Sequence, residues 1–320
     1  MNTTLEKSNL KLKEIQRINK HEYFLTSIIL LSDGRLCSTS YDNSIYIYNK
    51  NTYEIDVSIR NAHSLKMLVG VSFICEIAPN ILLSCGKELN ERKSILIWKL
   101  SENDIQIIGQ IDGGACVDKI TSLSNEQFAI CNYQGEVRIF SIENFQLISA
   151  LKIEDKELNS LLKIKNKEIL ITACGESSTI WKFKYLLENN SLTSLKNISI
   201  SSVCQMAELN NDLIAVGGEG NISIIDYEKM ERIHLISFEN EINGYWVDSI
   251  LYIDGLLFCG VGSFSTEKGY VYIIEYNDKK EKILCKQQVH KGRITSLCSL
   301  SDDMFACICK DIVILKYIKE

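Results

Sequence analysis

The sequence predicts an all-β fold: a seven-bladed β-propeller of four-stranded antiparallel blades, its ring closed by an N-terminal outer strand. Three observations carry this prediction. Two markers recur seven times in a common register, every copy repeats one strand–turn–strand grammar, and the last copy ends one strand short.

The stretch LLSDGRLCSTSYDNSIYIYNK, residues 30–50, supplies the template. An apolar run leads to an Asx-type turn at Asp33-Gly34. A second run ends in the small residues Ser38-Thr39-Ser40, and a polar turn at Tyr41-Asp42-Asn43 leads into an alternating run that ends at Tyr48. Period-two alternation, β-branched residues and turn signals at each end identify strands.

The first turn recurs at Asp33, Asn80, Asn125, Asn166, Asn211, Asp254 and Asp302, in steps of 41 to 48 residues. The large residue of the third run recurs at Tyr48, Trp98, Phe140, Phe183, Ile225, Ile274 and Leu315, in steps of 41 to 50. A fourth, more polar run follows most copies, as in YEIDVSIR, FQLISALK and KILCKQQV. Four short strands repeated every 40 to 50 residues describe a propeller blade, and together the copies form a single domain over residues 1–320. The last copy stops at Glu320, just after its third strand. The alternating segment Leu10 to Ile18, LKLKEIQRI, is therefore assigned to complete that blade and cover its open edge. Two segments depart from the regular pattern. The stretch from Tyr185 to Glu188, the one possible helical piece, is read as loop, and LLENNSLTSL, residues 186–195, as an excursion on the bottom face.

The totals limit the function classes. The 320 residues, 46% hydrophobic, can bury a substantial core. A net charge of -6 argues against nucleic acid as the main ligand, though it leaves room for local basic patches. The N-terminus lacks the apolar stretch of a signal peptide, and no run reaches membrane-span length, so an intracellular protein without membrane insertion is expected. Seven of the twelve cysteines (Cys37, Cys75, Cys85, Cys131, Cys259, Cys298 and Cys307) lie inside apolar runs, where cysteine acts as a small hydrophobe. No C-x-x-C pair occurs, and Cys307-Ile-Cys309 has no second pair to complete a zinc site. Reduced thiols fit a cytoplasmic or nuclear compartment. Rich in Ile, Asn and Lys, with Pro79 its one proline, the chain has the composition of an AT-rich eukaryotic genome.

The first copy places His21 before its first strand, Ser38-Thr39-Ser40 at the end of the second, Asp42 in the turn, and Ile45, Ile47 and Tyr48-Asn49 in the third. This resembles the His, Ser/Thr, Asp and Trp-Asp pattern of the WD-repeat (WD40) family, with Tyr-Asn replacing Trp-Asp. Elsewhere His63 precedes Trp98-Lys99, Ile225-Asp226 keeps the Asp, and His290 keeps the leading histidine. No single copy carries the full set. The resemblance covers nearly the whole chain, strongly in its period and weakly in its hallmark residues. Seven-bladed propellers of other families share the period.

Chemistry is sparse. No nucleophile elbow, P-loop or paired metal-ligand motif occurs, and no cofactor is expected. The FRRG-type motif of phosphoinositide-binding propellers is missing, with Arg60 and Arg232 solitary. His21, His63 and His290 share one repeat position, which suits a structural hydrogen bond better than a single catalytic base; His234 reads as an ordinary strand histidine. Asp118 and Asp248 share another position, occupied by Asn159 in the fourth copy. A propeller hydrolase or lyase would use these carboxylates with a histidine at the channel mouth. The blander reading bonds them to their neighbours.

The favoured function is a non-catalytic platform for a protein or peptide partner, within a larger complex. In WD-repeat propellers the second-to-third-strand loops share the top face with the loops leading into each blade. Two of the former are long here, GKELNERKS (86–94) and GSFSTEKG (262–269), which nominates Lys87, Glu88 and Arg92. Tyr41 and Tyr133 hold matching places before their turns, while Phe24, Trp246 and Arg293 align ahead of innermost strands. Aromatic and Arg anchors dominate interface energetics. Tyr41, Tyr133, Trp246 and Arg293 are accordingly the main candidates, and Phe24 is assigned to blade packing. A reader of modified peptides is a further alternative, for which an acidic, aromatic-lined top pocket is required.

Overall fold

A computed structural model describes residues 10–63, 70–86, 94–114, 116–186, 191–238, 244–263, 265–277 and 279–319. Strand β1 (Leu10–Ile18) comes first. Blade 1 follows as β2 (Leu25–Leu30), β3 (Leu36–Ser40), β4 (Ile45–Tyr48) and β5 (Ile55–Ile59). Blade 2 has β6 (Val71–Ala78), β7 (Ile81–Gly86), β8 (Ile95–Leu100) and β9 (Ile105–Ile111). Blade 3 has β10 (Val117–Ser122), β11 (Gln127–Asn132), β12 (Glu136–Ser141) and β13 (Leu147–Lys152). Blade 4 has β14 (Leu158–Lys163), β15 (Ile169–Cys174), β16 (Thr179–Leu186) and β17 (Ser191–Ser199). Blade 5 has β18 (Gln205–Glu208), β19 (Leu213–Gly217), β20 (Asn221–Asp226) and β21 (Glu231–Ser237). Blade 6 has β22 (Trp246–Ile253), β23 (Leu256–Ser263), β24 (Lys268–Asn277) and β25 (Lys280–His290). Blade 7 combines β26 (Ser296–Ser301), β27 (Met304–Ile308) and β28 (Ile312–Lys319) with β1. Each sheet is antiparallel, and the first strand of each blade packs against the first strand of the next around the ring.

The inner strands carry little polar alternation because both of their faces are buried. In β3, Leu36 faces blade 7 while Cys37 faces blade 2, so every position is apolar or small. The result is seven separate cores, one at each blade boundary. The recurring large residue always faces the preceding blade. Tyr48 packs against blade 7, Trp98 against blade 1 and Phe140 against blade 2. Each is paired with a buried residue of the second strand, as in Leu36↔Tyr48, Leu82↔Trp98 and Phe128↔Phe140.

The Asx turns follow from backbone geometry. Asn80, Asn166, Asn211 and Asp254 have φ of 65°, 56°, 59° and 48°. Asn and Asp tolerate this left-handed region better than other non-glycine residues. In blade 1, Gly34 at φ 88° takes the strain instead of Asp33.

Ring closure is made by β1, which runs antiparallel to β28 from Leu10↔Lys319 to Ile18↔Ile312. Leu10 and Leu12 join the core between blades 6 and 7, and Ile18 joins the one between blades 7 and 1. Arg17 then donates to Asp311 at 2.6 Å. One segment read as loop is mostly strand: β23 and β24 leave a turn at 265–267, whereas β16 and β17 extend the blade 4 hairpin to Leu186 and Ser191. Strand pairing wins there because an extended hairpin satisfies its own backbone groups. None of the twelve cysteines is in a disulfide. Burial pushes the thiols of Cys37, Cys131, Cys259 and Cys307 well up, which keeps them protonated and inert. Among the described residues no helix is long and apolar enough to cross a membrane.

Candidate functional site

The top of each blade is organised by the loop leading into it and the turn between its second and third strands. Blade 1 assembles a complete network. His21 Nδ1 lies 3.1 Å from Asp42 Oδ2 and Nε2 lies 2.7 Å from Ser38 Oγ, and Ser38 meets the Tyr48 hydroxyl at 3.2 Å. The Asp42 carboxylate only accepts, so Nδ1 carries a proton toward it. Tyr48 thus does with a hydroxyl what Trp98 does with an indole in blade 2. There Trp98 Nε1 donates to Ser84 Oγ at 2.8 Å, and Ser84 lies 2.8 Å from His63 Nε2. An indole N–H only donates, so Ser84 Oγ accepts from Trp98 and keeps its own proton available for His63. Burial lowers the His63 pKa to about 4. In blade 7, His290 Nδ1 lies 2.8 Å from Asp311 Oδ1, and Cys307 replaces the serine. His234 instead pairs with Glu281 at 2.6 Å, linking the outer strands of blades 5 and 6.

A bulge recurs at the upper end of the innermost strand, leaving Thr26, Ser72, Asp118, Asn159 and Asp248 as the extra residues. Ser72 Oγ donates within its own blade, to the Cys85 carbonyl at 2.9 Å, whereas Thr26, Asn159 and Asp248 reach the next blade. Thr26 Oγ1 donates to the Val71 carbonyl at 2.5 Å, and Asn159 Nδ2 donates to that of Val203 at 3.1 Å. Asp248 receives Arg293 from blade 7 through Nε and an Nη, a two-toothed pair with side chains 12% and 21% exposed. The Arg293 guanidinium also lies 5.2 Å from the centre of the Trp246 ring.

The structure therefore brings Trp246, Arg293 and Asp248 together in one stack on the top rim. Tyr41 and Tyr133 occupy equivalent places, their amides donating to the Phe24 and Cys116 carbonyls at 3.1 Å each. Tyr41 is 44% exposed and Tyr133 is half-buried. Gly70 of blade 2, at φ 51°, packs against the Tyr41 backbone so closely that a Cβ would collide with it. Phe24 lies half-buried below Lys310, whose ammonium is 4.9 Å from its ring centre. Lys87, Glu88 and Arg92 lie outside the described residues.

Sequence reading treated Asp248 and Arg293 as separate candidates. The available signal was their spacing of 45 residues, one repeat, which also separates Thr26 from Val71. A second brace, on the bottom face, was missed for the same reason. Glu76 accepts from the Ser32 amide at 2.6 Å and Glu208 from the Lys165 amide at 2.8 Å, each tying a blade to the preceding turn. Two of the histidines at the blade entrances are enclosed: the His21 and His290 side chains are each 1% exposed. Among the described residues no group of three or more His, Cys, Asp or Glu is placed to hold a metal ion.

Solved structures share the fold of this ring. The RRP9 WD40-repeat crystal structure superposes with a TM-score of 0.79 at 16% identity, covering 96% of this chain and 100% of that one. The U3-55K structure gives 0.78 at 17% identity, covering 95% of this chain and 98% of that one. No protein-family model matches the sequence. No curated protein matches it either.

Proposed function

With the fold of a WD40-repeat propeller as premise, we propose that this protein is a non-catalytic interaction platform that captures a peptide or protein domain on its top face. The observation that carries the reading is the Trp246–Arg293–Asp248 stack, with exposed Tyr41 on the same rim. An indole held under a guanidinium is a rigid, amphipathic anchor. Because Asp248 fixes the guanidinium and Gly70 packs on the Tyr41 backbone, the guanidinium and that backbone have little freedom left to lose on binding. The resemblance to WD-repeat propellers supports the same reading. The enclosed histidines and the engaged Asp248 favour it over acid–base chemistry at the channel mouth. Partners are proteins or peptides within a larger complex, in the cytoplasm or nucleus, a compartment that suits twelve cysteines outside any disulfide.

The test is affinity capture with the wild type beside a Tyr41→Ala/Trp246→Ala/Arg293→Ala variant. The reading expects partners to be lost from a variant that still shows β-rich circular dichroism and cooperative melting. A folded variant that keeps every partner overturns it.

A further inference from the structure

The loop leading into blade 7 and the β27–β28 turn enclose a cavity of about 530 Å³ against the end of β1. Its walls include Arg17, Gln288, His290, Lys291, Lys310 and Asp311. The carboxylate is already engaged: Asp311 takes Arg17 at 2.6 Å and His290 at 2.8 Å. Arg17 is engaged too, since Nε and Nη2 donate to Glu14 and Nη2 also reaches the Val289 carbonyl at 3.1 Å. That leaves two ammonium groups. Lys291 and Lys310 are exposed, and neither makes an ion pair among the described residues. On a chain of net charge -6, two uncompensated cations at the mouth of one concavity run against the prevailing sign. The Phe24 ring beneath Lys310 gives one of them a fixed seat.

The cavity borders the candidate rim on two sides. Arg293 follows Lys291 by two residues, and the Phe24 that seats Lys310 accepts the Tyr41 amide at 3.1 Å. We propose that the cavity receives an anionic side chain, a phosphate or a carboxylate, of the peptide captured on the rim, held between Lys291 and Lys310. This rests on the peptide-binding reading and supplies the chemistry of one side chain. A phosphate carries more charge and more acceptor oxygens than a carboxylate, so phosphoserine binds more tightly than glutamate. The modified-peptide alternative called for an acidic top pocket; this one is cationic and selects the opposite charge.

The probes are N-acetyl-phosphoserine methylamide and its glutamate counterpart, titrated at low ionic strength into isotope-labelled full-length protein and followed by amide chemical shifts. Saturable shifts are expected at residues 290–292 and 309–311, tighter for phosphoserine and weakened by added salt. Lys291→Glu/Lys310→Glu should weaken binding at least tenfold with unchanged melting, while Lys99→Glu, an exposed charge on blade 2, leaves it intact. The Tyr41→Ala/Trp246→Ala/Arg293→Ala variant should still bind the probe, so failure of the rim and failure of the cavity are separate results. Shifts that never saturate and spread over all exposed lysines overturn the proposal. So does probe binding that survives Lys291→Glu/Lys310→Glu. An oligonucleotide that saturates the same amides while the phosphoserine probe does not would replace the peptide with nucleic acid, and also overturns it.

Discussion

Arg293 grips Asp248 through Nε and an Nη across the boundary between blades 7 and 6, although 45 residues separate them in the chain. The pair links the incoming loop of one blade to the innermost strand of its neighbour and holds the guanidinium beside Trp246. It is at once part of the ring and part of the candidate rim.

Removing the guanidinium leaves the Asp248 carboxylate without its partner. Arg293→Ala is predicted to cost about 1–3 kcal/mol, measured by urea unfolding. Arg293→Ala/Asp248→Ala should cost less than the sum of the two single changes, because no orphaned charge remains. Arg293→Lys should not restore the wild-type value, since an ammonium cannot make the two-toothed contact. Strict additivity would show the two side chains to be uncoupled.

Tyr48 is the least family-like member of the blade 1 network and gives a clean test of it. Tyr48→Phe deletes one hydrogen bond to Ser38 and is predicted to cost about 1 kcal/mol. His21→Ala should cost more, on the order of 2–4 kcal/mol, because it leaves a cavity and strips Asp42 and Ser38 of a shared partner. Equal costs for the two substitutions would show that His21 does not organise the network.

Stability should fall with acid in two windows. Burial holds His63 neutral and lowers its pKa to about 4, whereas the unfolded imidazole protonates near 6.5. Between those values the unfolded state binds the extra proton, so stability drops as the pH falls from about 6.5 to 4, by on the order of 3 kcal/mol. Urea midpoints at pH 7, 6 and 5 should show this slope, flattened in His63→Gln. The second window lies lower. Burial works against the ionised forms of Asp42 and Asp311, but hydrogen bonds from His21, Ser44 and Glu22, and from His290 and Arg17, hold both carboxyls below the usual range. Their contribution is complete above the unfolded carboxyl pKa of about 4 and is lost as the pH falls through the folded values.

Deleting residues 1–18 removes β1, which exposes the edge of β28 and opens the cores that hold Leu10, Leu12 and Ile18. Truncating one buried leucine typically costs 2–5 kcal/mol, so loss of the strand should lower the melting temperature by roughly 10 °C or more. A peptide spanning residues 8–20 added in excess should recover part of it. Unchanged melting of the truncated chain would remove β1 from the stability of the ring.

The ring itself was legible in the sequence. Asn80, Asn166 and Asn211 mark turns because their left-handed φ is a local demand, and Tyr48, Trp98 and Phe140 mark a strand position buried in every blade. Such requirements act on one residue at a time, so they repeat wherever the unit repeats. The open edge of β28 likewise pointed to Leu10–Ile18. The site was legible only in fragments. Trp246 and Arg293 were recognisable as anchors, but their stacking, the engagement of Asp248, the packing of Gly70 on Tyr41 and the free charges of Lys291 and Lys310 were not. Each of these depends on which side chains from neighbouring blades meet, and that is set by ring closure, bulge position and strand twist. By itself the sequence determined the repeat, the strand order and the buried face of each strand, because local periodicity and backbone preference encode them. The tertiary structure alone decided which charges on the rim were neutralised and which were left over, because that depends on contacts made a full repeat apart.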